Sequence, residues 1–308
     1  MKVDLVYLWV DDSDPIWREK LRRTTDNASL DKESADDCRF KNNDELKFSL
    51  RSVEKYAPWI NKIFIITYNQ VPTWFNPDNE KIRIVDHSEI IPQNNLPTFN
   101  SCVIENHVPF INDLSEYFLL ANDDTFFWND VDEKFFFENE KAIFRAGKKI
   151  KNKEYKHLYG HSVNKAYQMV KEKCGKSVPY FSHHNIDAYK KSDFLDCIKE
   201  FQSDFDETAT HKFRTPEDVQ RVIVSYLAIV RGKSVLRETQ INPIVKFLGL
   251  KQPESEYFGL KKSNLPKIKN SKAKLMCIND GRKTTDFDRE MMVKILEEKF
   301  PTPSQFER

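Results

Sequence analysis

The sequence predicts an α/β fold with a mostly parallel sheet, flanking helices and an added helical region. Three observations support this prediction. Short apolar runs rich in β-branched residues recur through the first half, amphipathic stretches with a 3.6-residue period lie between them, and helical patterns dominate from about residue 162. Alternating strands and helices favour a parallel sheet, because each helical crossover returns the chain to the same edge.

The predicted strands are buried, since their apolar residues run on without alternating with polar ones. Residues 3–10 form the first strand, and the turn residues at 11–15 end it. Further strands are predicted at 62–67, 81–85, 117–121 and 274–278, with more strand material at 135–137 and 142–145.

The first predicted helix runs from Asn43 or Asp44 to about residue 56, because Leu46, Leu50 and Val53 fall on one helical face. Other helices are predicted at 99–107, 162–174, 192–201 and 286–300.

A buried helix is predicted over residues 219–230, because this stretch is apolar nearly all round. Thr215 is its expected N-cap, with Pro216 at the first helical position. Residues 236–272 are rich in Pro, Lys and Asn and are predicted to be irregular.

We expect three segments that form one integrated catalytic unit. Residues 1–150 form an α/β core, residues 151–235 a helical region that contributes catalytic residues, and residues 236–308 an irregular segment with a strand and a helix that return to the core. A chain of 308 residues is long enough for one large domain or two modest ones.

Composition excludes several classes of protein. The formal net charge is +1, so no global field recruits nucleic acid or an anionic bilayer. No stretch approaches the roughly 20 apolar residues of a spanning helix, and the first apolar run is too short for a signal peptide. The five cysteines are scattered without a CxxC pair, which favours free thiols. We therefore expect a cytoplasmic protein.

Two predicted strands end in acidic turns, where open α/β sheets bind their ligands. Asp11 follows the first strand, and Asp123 and Asp124 follow the strand at 117–121. Carboxylates at such a position suit a hard cation that bridges to phosphate oxygens. They are also ordinary turn residues, so both interpretations stay open at this point.

The sequence has no glycine-rich phosphate loop, so metal ions or cationic side chains must hold any phosphate. The candidate cations are Arg39, Lys47, Arg51 and Arg214. The neighbouring His183 and His184 are candidates for general acid or base chemistry, or for a hydrogen bond to phosphate.

Six stretches carry a family resemblance. They are DLVYLWVDDSDPIW at 4–17, RFKNNDELKFSLRSVEKYAPW at 39–59, FLLANDDTFF at 118–127, HNID at 184–187, HKFRTPED at 211–218 and CIND at 277–280. In this order and spacing they resemble the four sequence blocks of the Stealth family of capsular polysaccharide phosphotransferases. That family includes the catalytic subunits of the animal GlcNAc-1-phosphotransferase.

The resemblance implies a fold similar to GT-A nucleotide-sugar transferases, a divalent ion (Mg²⁺ or Mn²⁺) and a UDP-sugar donor such as UDP-GlcNAc. The reaction it implies joins a sugar-1-phosphate to a glycan hydroxyl and releases UMP. The acceptor is an oligosaccharide or polysaccharide, which can be lipid-linked and reached by peripheral contact with the inner face of the membrane.

The resemblance also assigns roles to residues. Asp123 and Asp124 are the expected metal ligands, and Arg214 is expected to bind the phosphate under attack. Asp11 or His184 accepts the hydroxyl proton or orients the acceptor, and spacing to Asp187 favours His184 over His183. The expected donor-binding residues are Arg39, Arg51, Asn100, Asn279 and Asp280.

Two other functions are compatible with the sequence. An ordinary GT-A glycosyltransferase would release UDP instead of UMP. A non-catalytic module would bind a nucleotide sugar or a glycan without turnover.

Overall fold

The fold is described here from a computed structural model that covers residues 1–26, 39–151, 155–239 and 252–308. The strands are β1 Val3–Leu8, β2 Ile63–Thr67, β3 Ile82–Asp86, β4 Tyr117–Asn122, β5 Thr125–Phe127, β6 Phe137–Glu138, β7 Lys141–Lys149, β8 Tyr180–Ser182, β9 Asp187–Lys190, β10 Val235–Glu238, β11 Ser255–Gly259 and β12 Leu275–Asn279.

The α-helices of the described residues fall into a longer set that covers the sheet and several single turns. They are α1 Pro15–Thr25, α2 Glu45–Tyr56, α3 His87–Ile90, α4 Ser101–Asn106, α5 Glu133–Phe136, α6 Leu158–Cys174, α7 Lys191–Glu200, α8 Gln202–Thr210, α9 Val222–Val230, α10 Leu265–Lys269 and α11 Asp286–Lys299.

The main sheet has the strand order β3-β2-β1-β4-β9. The first four strands are parallel, and β9 adds to the edge in the antiparallel sense. The prediction of an α/β fold with a mostly parallel sheet is therefore confirmed. Two smaller sheets flank it, with orders β10-β7-β6 and β11-β12-β5, and β8 also pairs with β7.

Both faces of the main sheet are buried, as the continuous apolar strands predict. Val6 on β1 packs into a cluster with residues of α6, α7 and α9. Its neighbours Leu5 and Tyr7 point to the opposite face and pack against α2. This alternation follows from the two-residue period of a strand.

Several predicted elements differ from the structure. Of residues 135–137, predicted to be strand, only Phe137 lies in one, β6; Glu133–Phe136 is one helical turn that Asp132 caps. Asp14 is the N-cap of α1 and accepts from the backbone amides of Ile16 and Trp17. This helix was not predicted, because its first residues were interpreted as a turn.

The Thr215 cap prediction was wrong. The helix begins only at Val222, and the buried carboxylate of Asp218 instead accepts from the backbone N and the hydroxyl of Thr215. Within residues 236–272, predicted to be irregular, the described part contains β11 and α10.

The three-segment division stays a prediction, although the segments share sheets. Strand β9 of the middle segment joins the main sheet, and β12 of the last segment pairs with β5 of the first. The four cysteines within the described residues are free, and Cys38 lies outside them. In the described chain, no helix combines the length and apolar character needed to cross a bilayer.

Arg51 ties α2 to the end of the chain. Its guanidinium forms a two-pronged ion pair with Glu307, at 2.9 and 2.6 Å, and donates to the carbonyl of Phe300 at 3.0 Å. The two side chains are 12% and 8% exposed, so removal of one leaves a poorly solvated charge.

We expect Arg51→Ala to lower the free energy of unfolding by about 3 kcal/mol, because it strands the Glu307 carboxylate. Urea denaturation measures the change. Arg83→Ala is the control, since its pair with Glu89 is largely exposed and should contribute no more than about 1 kcal/mol. Equal effects for the two variants would contradict this assignment.

Candidate functional site

The site lies where the strand order of the main sheet reverses. From β1 the chain moves outward to β2 and β3, and then returns to β4 on the other side of β1. Leu8 at the end of β1 pairs with Asn122 at the end of β4. This reversal opens a crevice beyond the carboxyl ends of the strands, the usual ligand site in open α/β sheets.

A cavity of about 1340 Å³ occupies this crevice. Among the predicted site residues, its walls include Arg39, Asp123, Asp124, His184, Arg214, Asn279 and Asp280. The cavity lining therefore contains residues from all four sequence blocks, although Asp11 of the first block is not among them.

One wall of the cavity is acidic. Asp123 and Asp124 form the turn between β4 and β5, and Glu45 is the first residue of α2. Asn43 holds the Glu45 carboxylate through its backbone N at 2.6 Å and its side-chain amide at 2.8 Å. Glu45 was not singled out from the sequence, because its place beside the aspartates depends on how α2 packs on the sheet.

Strand β12 orients the carboxylate of Asp124. Cys277 and Asn279 are two positions apart and so share one face of the strand. The Asn279 amide donates to Asp124 Oδ2 at 3.4 Å, and the Cys277 thiol contacts the same oxygen at 3.6 Å. The other oxygen, Oδ1, is buried and has no hydrogen-bond partner. The amide of Asn279, predicted to bind donor, is thus directed at Asp124.

Burial and mutual repulsion make the ionisation of the acidic wall less favourable than that of exposed carboxyl groups. Burial raises the pKa of Asp124 to about 6, despite the hydrogen bonds from Asn279 and Cys277. Burial, and next the charges of Asp124 and Glu45, raises the pKa of Asp123 well above its ordinary value. Burial also raises the pKa of Glu45 to about 7. Such a cluster is stabilised by a bound cation.

The aspartates fit a divalent cation. The unpartnered Oδ1 of Asp124 offers a ligand, and no described Lys or Arg forms an ion pair with either aspartate. No described group of three His, Cys, Asp or Glu side chains is arranged to hold a metal by itself. Mg²⁺ commonly takes only one or two carboxylates and completes its shell with phosphate oxygens and water.

His184 stands between two tyrosines. Its ring makes edge-on contacts with Tyr159 and Tyr257, at centroid distances of 5.3 and 5.0 Å. Its backbone lies in the left-handed region, with φ of 57°, and the residue lines the cavity. Burial, and next the charge of Arg221, lowers the pKa of His184 to about 4, so the ring is neutral at pH 7.

A buried network of ion pairs lies beside His183 and His184. It was not predicted from the sequence. Arg221 donates to Glu105 at 2.9 Å and to Asp187 at 3.3 Å. Asp187 also contacts His183 Nε2 at 3.2 Å. Burial opposes ionisation of Asp187, but the hydrogen bond and charge of His183, with Arg221, bring its pKa down to about 2. His183 therefore has a structural contact, and His184 is the more available of the two.

Arg214 reaches the cavity from a loop folded around Asp218. That carboxylate is fully buried and accepts from His211 at 2.7 Å and from the Asn100 amide at 2.8 Å. Arg214 Nε donates to the hydroxyl of Ser101 at 2.7 Å, and its NH2 group contacts the same oxygen. Asn100, predicted to bind donor, instead holds this loop and lies outside the cavity lining.

Of the other predicted site residues, some line the cavity and some do not. Arg39 lines the cavity. Asp280 lines it too, but its carboxylate forms an ion pair with Arg289 at 2.7 Å. Asp11 accepts from the backbone N of Ser13 and does not line the cavity, and Arg51 is engaged with Glu307. The functional roles of Asp11 and Arg51 stay predictions.

Two family models match the chain. The model described as "Stealth protein CR1, conserved region 1" matches residues 1–29, and "Stealth protein CR2, conserved region 2" matches residues 39–144. The third and fourth blocks of the resemblance stay predictions.

Named relatives match over most of the chain. A capsular polysaccharide phosphotransferase LcbA of Aeromonas hydrophila is 33% identical over 243 residues, which cover 76% of this chain and 67% of the relative. A capsular polysaccharide phosphotransferase WcwK of Streptococcus pneumoniae is 30% identical over an alignment of 339 positions, which covers 99% of each chain.

Among solved structures, the galactosyltransferase LgtC is similar at a TM-score of 0.45 and 10% identity, over 98% of both chains.

The sheet, its switch-point cavity and these relatives define the chain as an enzyme of the transferase class, a phosphotransferase. It belongs to the Stealth family, whose matching members include the capsular polysaccharide phosphotransferases LcbA and WcwK.

A second histidine at the cavity wall, His87, predicts a pH dependence of stability. Its ring is 5% exposed and stacks on Tyr68 at 5.4 Å, and burial lowers its pKa to about 4. The unfolded chain binds this proton near pH 6.5. The contribution of the neutral His87 ring to folding stability is therefore fully present above pH 6.5 and is lost as the pH falls toward 4.

We expect His87→Phe to make unfolding less sensitive to pH between 6.5 and 4, by roughly 3 kcal/mol over that window. Denaturant titrations at several pH values measure the difference from the parent chain. An unchanged pH slope in a folded variant would show that the pKa of His87 is the same in the native and the unfolded state.

Proposed function

We propose that the chain transfers a sugar-1-phosphate from a UDP-sugar to a glycan hydroxyl, forming a phosphodiester and releasing UMP. GlcNAc-1-phosphate or another hexose-1-phosphate is the transferred group. One observation carries the proposal: Asp124, His184 and Arg214, which are distant in sequence, line the same cavity. The names of the relatives support the phosphoryl-transfer chemistry.

In this proposal Asp123 and Asp124 hold Mg²⁺ or Mn²⁺ together with the diphosphate of the donor. When bound there, the ion would supply positive charge that offsets the charge of the phosphate oxygens and of the departing UMP. The two donors on β12 keep Oδ2 of Asp124 occupied, and Oδ1 is the carboxylate oxygen that has no hydrogen-bond partner. This arrangement is the outer support that metal-binding carboxylates generally require.

Arg214 is the proposed cation for the phosphate under attack. A planar guanidinium contacts two phosphate oxygens at once, and positioned charge of this kind is usually the largest catalytic contribution. Ser101 fixes one edge of the group, so that Arg214 is oriented before the substrate arrives.

His184 is the proposed base, and its place in the cavity favours it over Asp11. The acceptor oxygen bonds to the β-phosphorus while the bond from that phosphorus to the UMP oxygen breaks. The acceptor proton passes to His184, which is neutral and free to take it, and UMP keeps the electron pair. The substrate phosphates raise the proton affinity of the ring as they bind beside it.

Nucleotide analysis tests the reaction. Incubation with UDP-GlcNAc or another UDP-hexose, Mg²⁺ or Mn²⁺ and glycan acceptors should release UMP, because the bond broken lies between the two phosphates. Chromatography of the released nucleotide reads the result. Release of UDP instead would identify an ordinary glycosyltransferase and reject the proposal.

Two substitutions test the roles of the residues. Arg214→Ala and Asp124→Asn should each lower kcat by about 10²–10³-fold, because each removes charge that stabilises the transition state. Arg237→Ala is the matched control, since its ion pair with Glu138 lies outside the cavity lining. Near-normal turnover by a folded Arg214→Ala enzyme would remove Arg214 from the mechanism.

A further inference from the structure

Tyr257 presents an open aromatic surface to the cavity. The residue is 47% exposed, whereas the other Tyr, Trp and Phe residues of the described cavity lining are buried or half-buried. Within the described chain its one aromatic neighbour is His184, whose ring meets it at 90° with a centroid distance of 5.0 Å. A perpendicular neighbour engages at most one face, so part of the ring is available to a ligand.

Strand pairing places this ring on the side of the acidic wall. Strand β11 runs parallel to β12, and Tyr257 lies beside Cys277 in the register. Neighbouring residues of paired strands have their side chains on the same face of the sheet. Because Cys277 contacts Asp124 from that face, the ring of Tyr257 lies on the face that borders the proposed metal ligand.

The space beside the ring is open as well. Gly259 ends β11 two positions after Tyr257 and so belongs to the same face. A Cβ atom at this position would meet no other atom within 4 Å. Strand β11 therefore places no side chain between Tyr257 and its own carboxyl end, where Asn279 of β12 lies alongside, and this leaves room for a ring of the ligand.

Tyr257 contacts the proposed base directly and the proposed metal ligand through one residue. Its hydroxyl donates to Asn279 at 3.1 Å, and the Asn279 amide donates to Asp124 at 3.4 Å. In the proposed reaction, His184 and the ion at Asp124 both act on the phosphate under attack. The ring therefore borders the position of that phosphate.

The chemistry of the donor indicates which group meets the ring. The hexose is bonded through one oxygen to the phosphorus under attack, whereas ribose and a second phosphate separate the uracil from it. The C–H groups of a pyranose carry slight positive charge and pack on the negative face of an aromatic ring. The Tyr257 hydroxyl is already engaged with Asn279, so the residue offers a ligand its ring surface.

We propose that Tyr257 is the stacking platform for the hexose of the donor, and that its ring selects a UDP-hexose over UDP alone. This inference rests on the proposed function and adds a residue that holds the transferred sugar. A hexose packed on the ring loses its freedom to rotate about the bond to phosphate, which orients the phosphorus toward the acceptor hydroxyl.

Calorimetric binding measurements on the full chain with Mg²⁺ test the platform. The probes are UDP and three donors that share a pyranose ring: UDP-GlcNAc, UDP-glucose and UDP-galactose. Tyr257→Ala and Tyr257→Leu remove the aromatic face, and Tyr257→Phe keeps it without the hydroxyl. Phe110→Ala is the matched control, since Phe110 is 46% exposed and lies outside the cavity lining.

The deciding quantity is the Kd for UDP divided by the Kd for the UDP-hexose that the parent chain binds most tightly. A disturbance of the metal site through Asn279 affects both ligands and cancels in this ratio. We expect the ratio to fall at least about tenfold in Tyr257→Ala and Tyr257→Leu, because the stacking contact is lost. It should stay within about threefold of the parent value in Tyr257→Phe and Phe110→Ala.

Thermal unfolding checks that the variants are folded, and Tyr257→Leu decides the question if Tyr257→Ala is not. A ratio that is unchanged in the folded variants overturns the inference. If the Kd values for UDP and the UDP-hexose then rise together, Tyr257 supports the metal site; if only the KM for the acceptor rises, the ring holds the acceptor.

Release of UDP during turnover, or failure of the parent chain to bind any of the four probes, counts instead against the proposed function. The ratio is measured without acceptor and does not depend on which nucleotide is released. The two failures are therefore distinguishable.

Discussion

The parallel pairing of β1 with β4 is the constraint on which the rest of the site depends. These strands are separated by more than a hundred residues, yet they lie side by side with Leu8 opposite Asn122. Their contact places the chain reversal at the centre of the sheet and sets Asp123 and Asp124 at the mouth of the resulting crevice. The buried register allows no slip, since a shift of one residue would turn Val6 and Leu5 to the wrong faces.

The later segments complete the cavity because of the directions in which their strands join. Strand β9 runs antiparallel to β4, so its first residue, Asp187, lies near the carboxyl end of β4. The turn that precedes β9 therefore delivers His184 to the same edge as the aspartates. Strand β12 likewise runs antiparallel to β5 and brings Cys277 and Asn279 against Asp124.

The sequence predicted the main strands, α2 and the acidic turns, because apolar periodicity and turn chemistry are local. It also predicted that Asp124, His184 and Arg214 belong to one site, through the family resemblance, and the structure places them in one cavity. The resemblance could not predict contacts within the protein, such as the ion pair of Arg51 with Glu307 and the hydrogen bond from Asn100 to Asp218. Glu45, Glu105 and Arg221 were missed because their partners are distant in sequence.

The junction of β5 with β12 has a consequence for synthesis of the protein. The acidic turn emerges from the ribosome about 150 residues before the strand that orients Asp124. Until β12 arrives, the nascent sheet exposes an unpaired edge at β5, and contacts of such long sequence separation form slowly. Catalytic competence should therefore appear late, after the last strand has docked, whereas the first four strands of the main sheet are able to assemble earlier.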